Sequence, residues 1–247
     1  MNEARVGTIT VGVDYETSKL AIELSEKYEN LYACVGLHPA DNATEIFDYN
    51  KYLELAKHER VVAIGETGLD YFRLSGTDEE VEYNKNNQKE IFKKHIQLAL
   101  EVKKPLMIHA RPAKNSMDAY EEVLDILESY LLSGQTTKLS VNFHFFVGDV
   151  KIAERIVKNN WTMSFDGPIT FTTDYDEVIK SIPIENIMAE TDAPFATPVP
   201  HRGKTCEPFM VTEIYKKIAE IKGLDAKICR NLINQNVQRV FNIPNMV

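Results

Sequence analysis

Seven short apolar runs rich in β-branched residues alternate with stretches of helical periodicity, and that alternation constrains the fold more than any other feature. The runs cover residues 6–13, 31–37, 61–64, 105–108, 139–145, 161–165 and 186–190. The clearest helix is expected over 88–102, where Ile91, Phe92, His95, Ile96, Ala99 and Val102 fall on one stripe. An earlier one follows Asp14 or Thr17 as cap and presents Leu20, Ala21, Leu24 and Tyr28. Others are expected over 46–57, 117–132, 150–158, 175–181, 211–222 and 226–241, with Gly223 closing the penultimate helix. The polar stretch 74–82 reads as an exposed loop, and so does 193–208, which is rich in proline and basic residues. Strand, helix and strand repeated in this way imply parallel strands with helical crossovers. No linker or low-complexity tract interrupts the pattern, so residues 1–247 read as a single domain.

Functional groups stand where the apolar runs end. Glu66 lies between Gly65 and Gly68 after the third run, His109 follows the fourth, His144 closes the fifth, and Asp192 follows the last. A charge where a buried strand meets its exit loop is costly unless something positive pairs with it. Two carboxylates and two imidazoles at such ends suit a metal cup. Residues spread over several strand ends favour a (β/α)8 barrel, whose ring of ends brings them together. A doubly wound sheet concentrates its site at one switch point instead. The competing reading makes Glu66 and Asp192 salt-bridge partners of Arg111 or Arg202 and leaves His109 and His144 without a role.

Composition narrows the partners. The formal charge of -9 means that a nucleic acid would be gripped locally, by a metal and a few basic groups, rather than by the whole surface. Three widely spaced cysteines, Cys34, Cys206 and Cys229, form no disulfide framework and point to a reducing compartment. No apolar run reaches the roughly 18 residues needed to cross a bilayer. The N-terminus lacks a signal-peptide pattern, so the expected location is cytoplasmic, away from membranes. Nothing in the sequence points to an obligate protein partner.

The motifs add a resemblance. Gly36-Leu37-His38-Pro39, Ile64-Gly65-Glu66-Thr67-Gly68-Leu69-Asp70-Tyr71, Ile108-His109-Ala110-Arg111, His144-Phe145-Phe146 and Glu190-Thr191-Asp192-Ala193-Pro194 follow in order. His201-Arg202-Gly203-Lys204, Glu207-Pro208, Asn236 and Phe241 complete the set. Each is weak alone; together, over nearly the whole chain, they resemble the TatD family of metal-dependent deoxyribonucleases and related hydrolases. The resemblance implies a TIM-type barrel, one or two divalent metal ions, and hydrolysis of phosphodiester bonds. It carries metal ligation onto Glu66, His109, His144 and Asp192. Mixed carboxylate and imidazole ligands suit zinc or manganese, while magnesium favours more oxygen, and the residues alone do not choose. Glu66 and Asp192 are the expected catalytic carboxylates, with Asp192 placed to orient a water or accept its proton.

Substrate contacts are read with their structural alternatives. Arg111 can fork a phosphate or pair with Asp70 or Glu190. Arg202 and Lys204 lie where barrel enzymes bind phosphate, in what is otherwise a solvated loop. His38 lines the pocket or serves as a hydrogen-bonded structural histidine. Tyr71 or Phe72 stacks on a base or packs on the rim. DNA ends or short single strands are the expected substrate. A metal amidohydrolase or esterase, and a catalytically weak binding relative, are the alternatives. Members of the family open with a strand ending in His-x-His, and this chain holds no such pair. The expectation is therefore a barrel lacking its first strand and helix, with residues 6–11 and 187–190 as the edges of an opened wall or of a distorted closure.

Overall fold

β-branched runs become strands and the periodic stretches become helices throughout the computed structural model, which describes residues 6–41, 45–134 and 139–243. Residues 1–5, on which the expectation of a missing first strand bears, lie outside the described residues. Contacts gather the described residues into two compact units, Thr8–Val141 and the part from Asn142 onward.

The first unit holds β1 (Thr8–Val11), α1 (Tyr15–Lys27), β2 (Leu31–Val35), α2 (Tyr49–Ala56), β3 (Val61–Asp70), α3 (Asp78–Val102), β4 (Leu106–Arg111) and α4 (Asp118–Leu132). Its strands pair in parallel in sequence order. Asp14 caps α1 by accepting the Thr17 N–H at 2.7 Å. The buried face of that helix is Ser18, Ala21, Ile22 and Ser25, while Leu20 and Tyr28 are exposed. The expected stripe is rotated because small side chains face the strands: Gly36 N–H donates to Ser18 Oγ at 3.3 Å. The helix α3 starts ten residues before the expected 88 and absorbs part of the expected loop. Thr77 and Glu80 form a capping box there, and Asp78, Glu79 and Glu80 favour the positive end of the helix dipole. His95 on this helix is fully buried. It faces Ile91 O with Nδ1 at 3.0 Å and accepts the Leu37 N–H at Nε2, also at 3.0 Å, so it fixes the backbone just before His38.

Apart from Val141, β5 (Val141–Phe143) lies in the second unit, with α5 (Val150–Lys158), β6 (Thr162–Phe165), α6 (Asp176–Ser181), β7 (Ile187–Ala189), α7 (Val211–Lys222) and α8 (Ala226–Phe241). β5, β6 and β7 pair in parallel, with Asn142 opposite Thr162 and Ser164 opposite Met188. One face of this sheet is polar: Asn142 bonds Ser164 and Thr162 through their hydroxyls. Gly223 ends α7 at φ +65, as expected, and Asp225 caps α8. Asn236 on α8 donates to Ile184 O and Ile187 O and so holds β7 in place.

Candidate active site

In the first unit, β3 does not stop at Ile64 as the sequence suggests but runs on through Glu66 to Asp70. Ile64 faces Leu106 and Thr67 faces Ile108, so three steps on β3 match two on β4. The extra residue makes a bulge, which re-aims the side chains beside it. Gly65 and Gly68 make it feasible, with φ of +152° and +139°. A Cβ there would fall 2.4 Å from Met107 O and 2.1 Å from His109 O. Gln88 then clamps the strand end by accepting the Asp70 N–H at 2.8 Å and donating to Asp70 O at 3.0 Å.

The result is a cluster around one ring. His109 presents Nδ1 to Glu66 Oε1 at 2.7 Å and Nε2 to Asp70 Oδ2 at 3.2 Å. Burial pulls the pKa of His109 down, but the Asp70 and Glu66 carboxylates outweigh it, and the ring titrates above its ordinary value. Burial likewise works to raise Asp70, yet His109 and then Arg111 hold it below the usual carboxylate range. His38 goes the other way: burial, then the His109 charge, lower its pKa to about 4. Its Nδ1 accepts the Ala40 N–H at 3.1 Å, which places the neutral ring's proton on Nε2. That Nε2 lies 3.3 Å from His109 Nδ1 and 3.7 Å from Glu66 Oε1. His38, Asp70 and His109 each bring one donor atom within 4.8 Å of the others.

The second unit has a cluster of its own. His144 Nδ1 lies 2.6 Å from Glu190 Oε1, which also accepts the Phe145 N–H at 2.8 Å. A proton on Nδ1 leaves the Nε2 lone pair for the other side, where Asp192 Oδ1 stands at 3.9 Å. Asp192 adopts the left-handed region at φ +50, a conformation that recurs at functional sites. Asp166 follows β6 in extended backbone. Its carboxyl is buried, and Oδ2 has no hydrogen-bond partner among the described residues. Burial, then the Glu190 charge, push its pKa up to about 9.

Both clusters have the mixed donors that divalent cations take. Bonds of about 2 Å around one ion place its donors roughly 3–4 Å apart; the 3.9 Å between His144 Nε2 and Asp192 Oδ1 fits that spacing for a pair, and His38, Asp70 and His109 form a three-donor group in the first unit.

A family model described as TatD related DNase matches residues 1–242. The chain belongs to that family. Among its relatives, the uncharacterized metal-dependent hydrolase YabD of Bacillus subtilis (strain 168) is 38% identical over 239 residues, covering 95% of this chain and 87% of the relative. The uncharacterized metal-dependent hydrolase TatD of Mycobacterium tuberculosis is 33% identical over 243 residues, covering 95% and 85%. Among solved structures, the TatD homolog YJJV from Escherichia coli K12 superposes with a TM-score of 0.79 at 24% identity, covering 96% of this chain and 87% of that one. The fold is therefore the TIM-barrel type of this family rather than a doubly wound sheet, with seven parallel strands among the described residues. Among these residues, no helix is long and apolar enough to cross a membrane.

Of the expected TatD ligands, Glu66 meets His109 in the first unit and His144 meets Asp192 in the second. Arg111 stands opposite Asp70 on β4, with its guanidinium 4.2 Å above the Phe72 ring. Arg202 lies 4.1 Å above Phe171 and donates to Thr197 O at 3.0 Å, while Lys204 is exposed nearby in sequence. Tyr71 is only 3% exposed, with its hydroxyl donating to Glu122 at 3.0 Å, whereas Phe72 is 52% exposed. Of the two rings, Phe72 is the one that reaches the surface. Three residues with site geometry escaped the sequence reading as functional groups: Asp70, Glu190 and Asp166. Alternation was the available signal, since Thr162, Ser164 and Asp166 share one face of a continued β6.

Proposed function

We propose that this chain is a metal-dependent phosphodiesterase acting on DNA ends or short single strands. The observation that carries the reading is a repeated pair: a guanidinium stacked on an exposed phenylalanine, Arg111 on Phe72 and Arg202 on Phe171. Phe72 and Phe171 are 52% and 47% exposed, so each pair offers a flat ring for a base beside a planar cation for a phosphate. An amide or ester of a neutral acid has no use for two such pairs.

In this reading Glu66 and His109 would hold a cation in the first unit, and His144 and Asp192 would hold one in the second. A bound divalent cation lowers the pKa of a water and polarises a phosphoryl oxygen. Asp192 orients the attacking water and accepts its proton. Glu190 fixes the tautomer of His144. His38, neutral with its proton on Nε2 facing His109 and Glu66, supports that cluster, and Lys204 adds charge without direction. Three buried cysteines with free thiols favour a reducing, cytoplasmic setting.

The test compares turnover of a single-stranded oligonucleotide, an acyl amide and an acyl ester by the same preparation with Mn2+. Cleavage of the oligonucleotide well above the other two is expected. Turnover confined to the amide or ester would replace the reading with that of an amidohydrolase or esterase.

A further inference from the structure

We infer that Asp70 is a positioning residue for metal binding: it holds the His109 proton on Nε2 and so leaves Nδ1, beside Glu66, for the cation. The inference rests on the metal-dependent reading above and gives a role to a carboxylate that this reading does not use.

Strand pairing sets the arrangement. Gly68 on β3 faces His109 on β4, and Asp70 faces Arg111. Side chains alternate along a strand, so Glu66 and Asp70 flank Gly68 on one face. Gly68 brings no side chain between them, and the His109 ring stands there instead. Its Nδ1 lies 2.7 Å from Glu66 Oε1 and its Nε2 3.2 Å from Asp70 Oδ2.

The two carboxylates are held differently. Gln88, buried on α3, accepts the Asp70 N–H and donates to Asp70 O, at 2.8 and 3.0 Å. Asp70 Oδ1 accepts the Phe72 N–H at 3.1 Å, which turns Oδ2 towards His109. The Asp70 side chain is 1% exposed, against 12% for Glu66. Asp70 is thus a fixed acceptor on the closed side of the ring, and Glu66 stands on the more open side.

A neutral imidazole has one N–H and one lone pair, so a cation and a proton must divide the two nitrogens. With Asp70 accepting from Nε2, the lone pair is on Nδ1. A cation binding there releases the Nδ1 proton to solvent, while the Nε2 proton stays. A carboxylate on the far nitrogen also makes the ligating nitrogen more basic. His38, Asp70 and His109 bring donor atoms within 4.8 Å of one another, yet their hydrogen bonds assign them different tasks. His38 Nδ1 accepts the Ala40 N–H at 3.1 Å, so its Nε2 carries a proton, and Asp70 Oδ2 takes the one on His109.

The experiment reads the ring nitrogens of the full chain by long-range 1H–15N NMR, with His109 assigned by the signals lost in His109→Gln. Spectra are taken metal-free at mildly alkaline pH and then with Zn2+, a diamagnetic probe. Metal on Nδ1 with the Nε2 proton retained is the expected result. Asp70→Asn offers an amide N–H to Nε2 and should shift the metal-free proton to Nδ1; Asp70→Ser is the second variant should the first fail to fold. Either should weaken Zn2+ affinity, measured by calorimetry, about 10–100-fold. Metal on Nε2, or a His109 ring that Zn2+ leaves unchanged, would overturn the assignment. So would affinity within about twofold of the unmodified chain, or weakened affinity with the Nε2 proton undisturbed, which would make Asp70 a ligand instead. Failure of the unmodified chain to bind Zn2+ or Mn2+ at all would overturn the metal-dependent reading, and this assignment with it.

Discussion

In the first unit one imidazole, His109, stands between two carboxylates, Glu66 and Asp70, with the neutral His38 beside it. In the second, His144 stands between Glu190 and Asp192, with the buried Asp166 within their electrostatic reach. The difference lies in what can take a cation's place. A proton on His109 serves both of its neighbours, so the first cluster can satisfy itself, at the cost of competing with metal for the same nitrogens. In the second, burial and the Glu190 charge push the pKa of the Asp166 carboxyl up to about 9, so it keeps a proton where Asp70 of the first is held below the usual carboxylate range. Similar residue types thus settle their charge differently, by an imidazole proton shared between carboxylates in one cluster and by a carboxyl that stays neutral in the other.

The comparison breaks most visibly at Asp192. Asp192→Ala should lower kcat on an oligonucleotide by on the order of 10³, because the group acts on the water in the transition state. Steady-state kinetics with saturating Mn2+ checks this, and a loss confined to KM would move Asp192 out of the chemistry.

A second prediction sharpens the first unit through its stability. His95 has a folded pKa lowered by burial to about 4, against an ordinary 6.5. The folded state binds fewer protons than the unfolded one in that window, so stability is full above pH 6.5 and falls as pH drops towards 4. The loss attributable to His95 is about 3 kcal/mol at most. Denaturant unfolding of the metal-free chain at pH 7.5 and pH 4.5 should show this slope, and His95→Gln should flatten it while lowering stability at both pH values. An unchanged slope in the variant would remove His95 as its source.

Two smaller effects separate positioning from binding. Glu190→Gln should reduce kcat about 10–100-fold with KM nearly unchanged, since the ring it orients would lose its tautomer. Lys204→Ala should raise KM a few-fold and leave kcat alone, as expected for an exposed cation that contributes uniform binding. Equal falls in kcat for these two variants would contradict the division of labour.

The parts legible in sequence were those governed by local periodicity. β-branched runs and capped amphipathic stretches located the parallel α/β pattern, and the ends of α5, α7 and α8 fall where the sequence places them. The early turns of α3 were not legible, because polar, acidic residues in a solvated first turn carry no apolar period. The bulge at Gly65 and Glu66 was hidden for another reason: two glycines beside a charge read as a turn, and only pairing with β4 keeps them in a strand. Glu66, His109, His144 and Asp192 stood out as functional types at run ends. Asp70, Glu190 and Asp166 did not, because their roles depend on the neighbouring strand, through the partners or the burial that pairing creates.

The central claim is that hydrolysis by this chain needs a cation at these clusters. The most direct measurement is the rate of oligonucleotide cleavage by chelator-stripped protein as Mn2+ is added back. The account predicts no turnover in the stripped protein and saturable recovery with Mn2+. Undiminished cleavage by protein shown to be metal-free would contradict it.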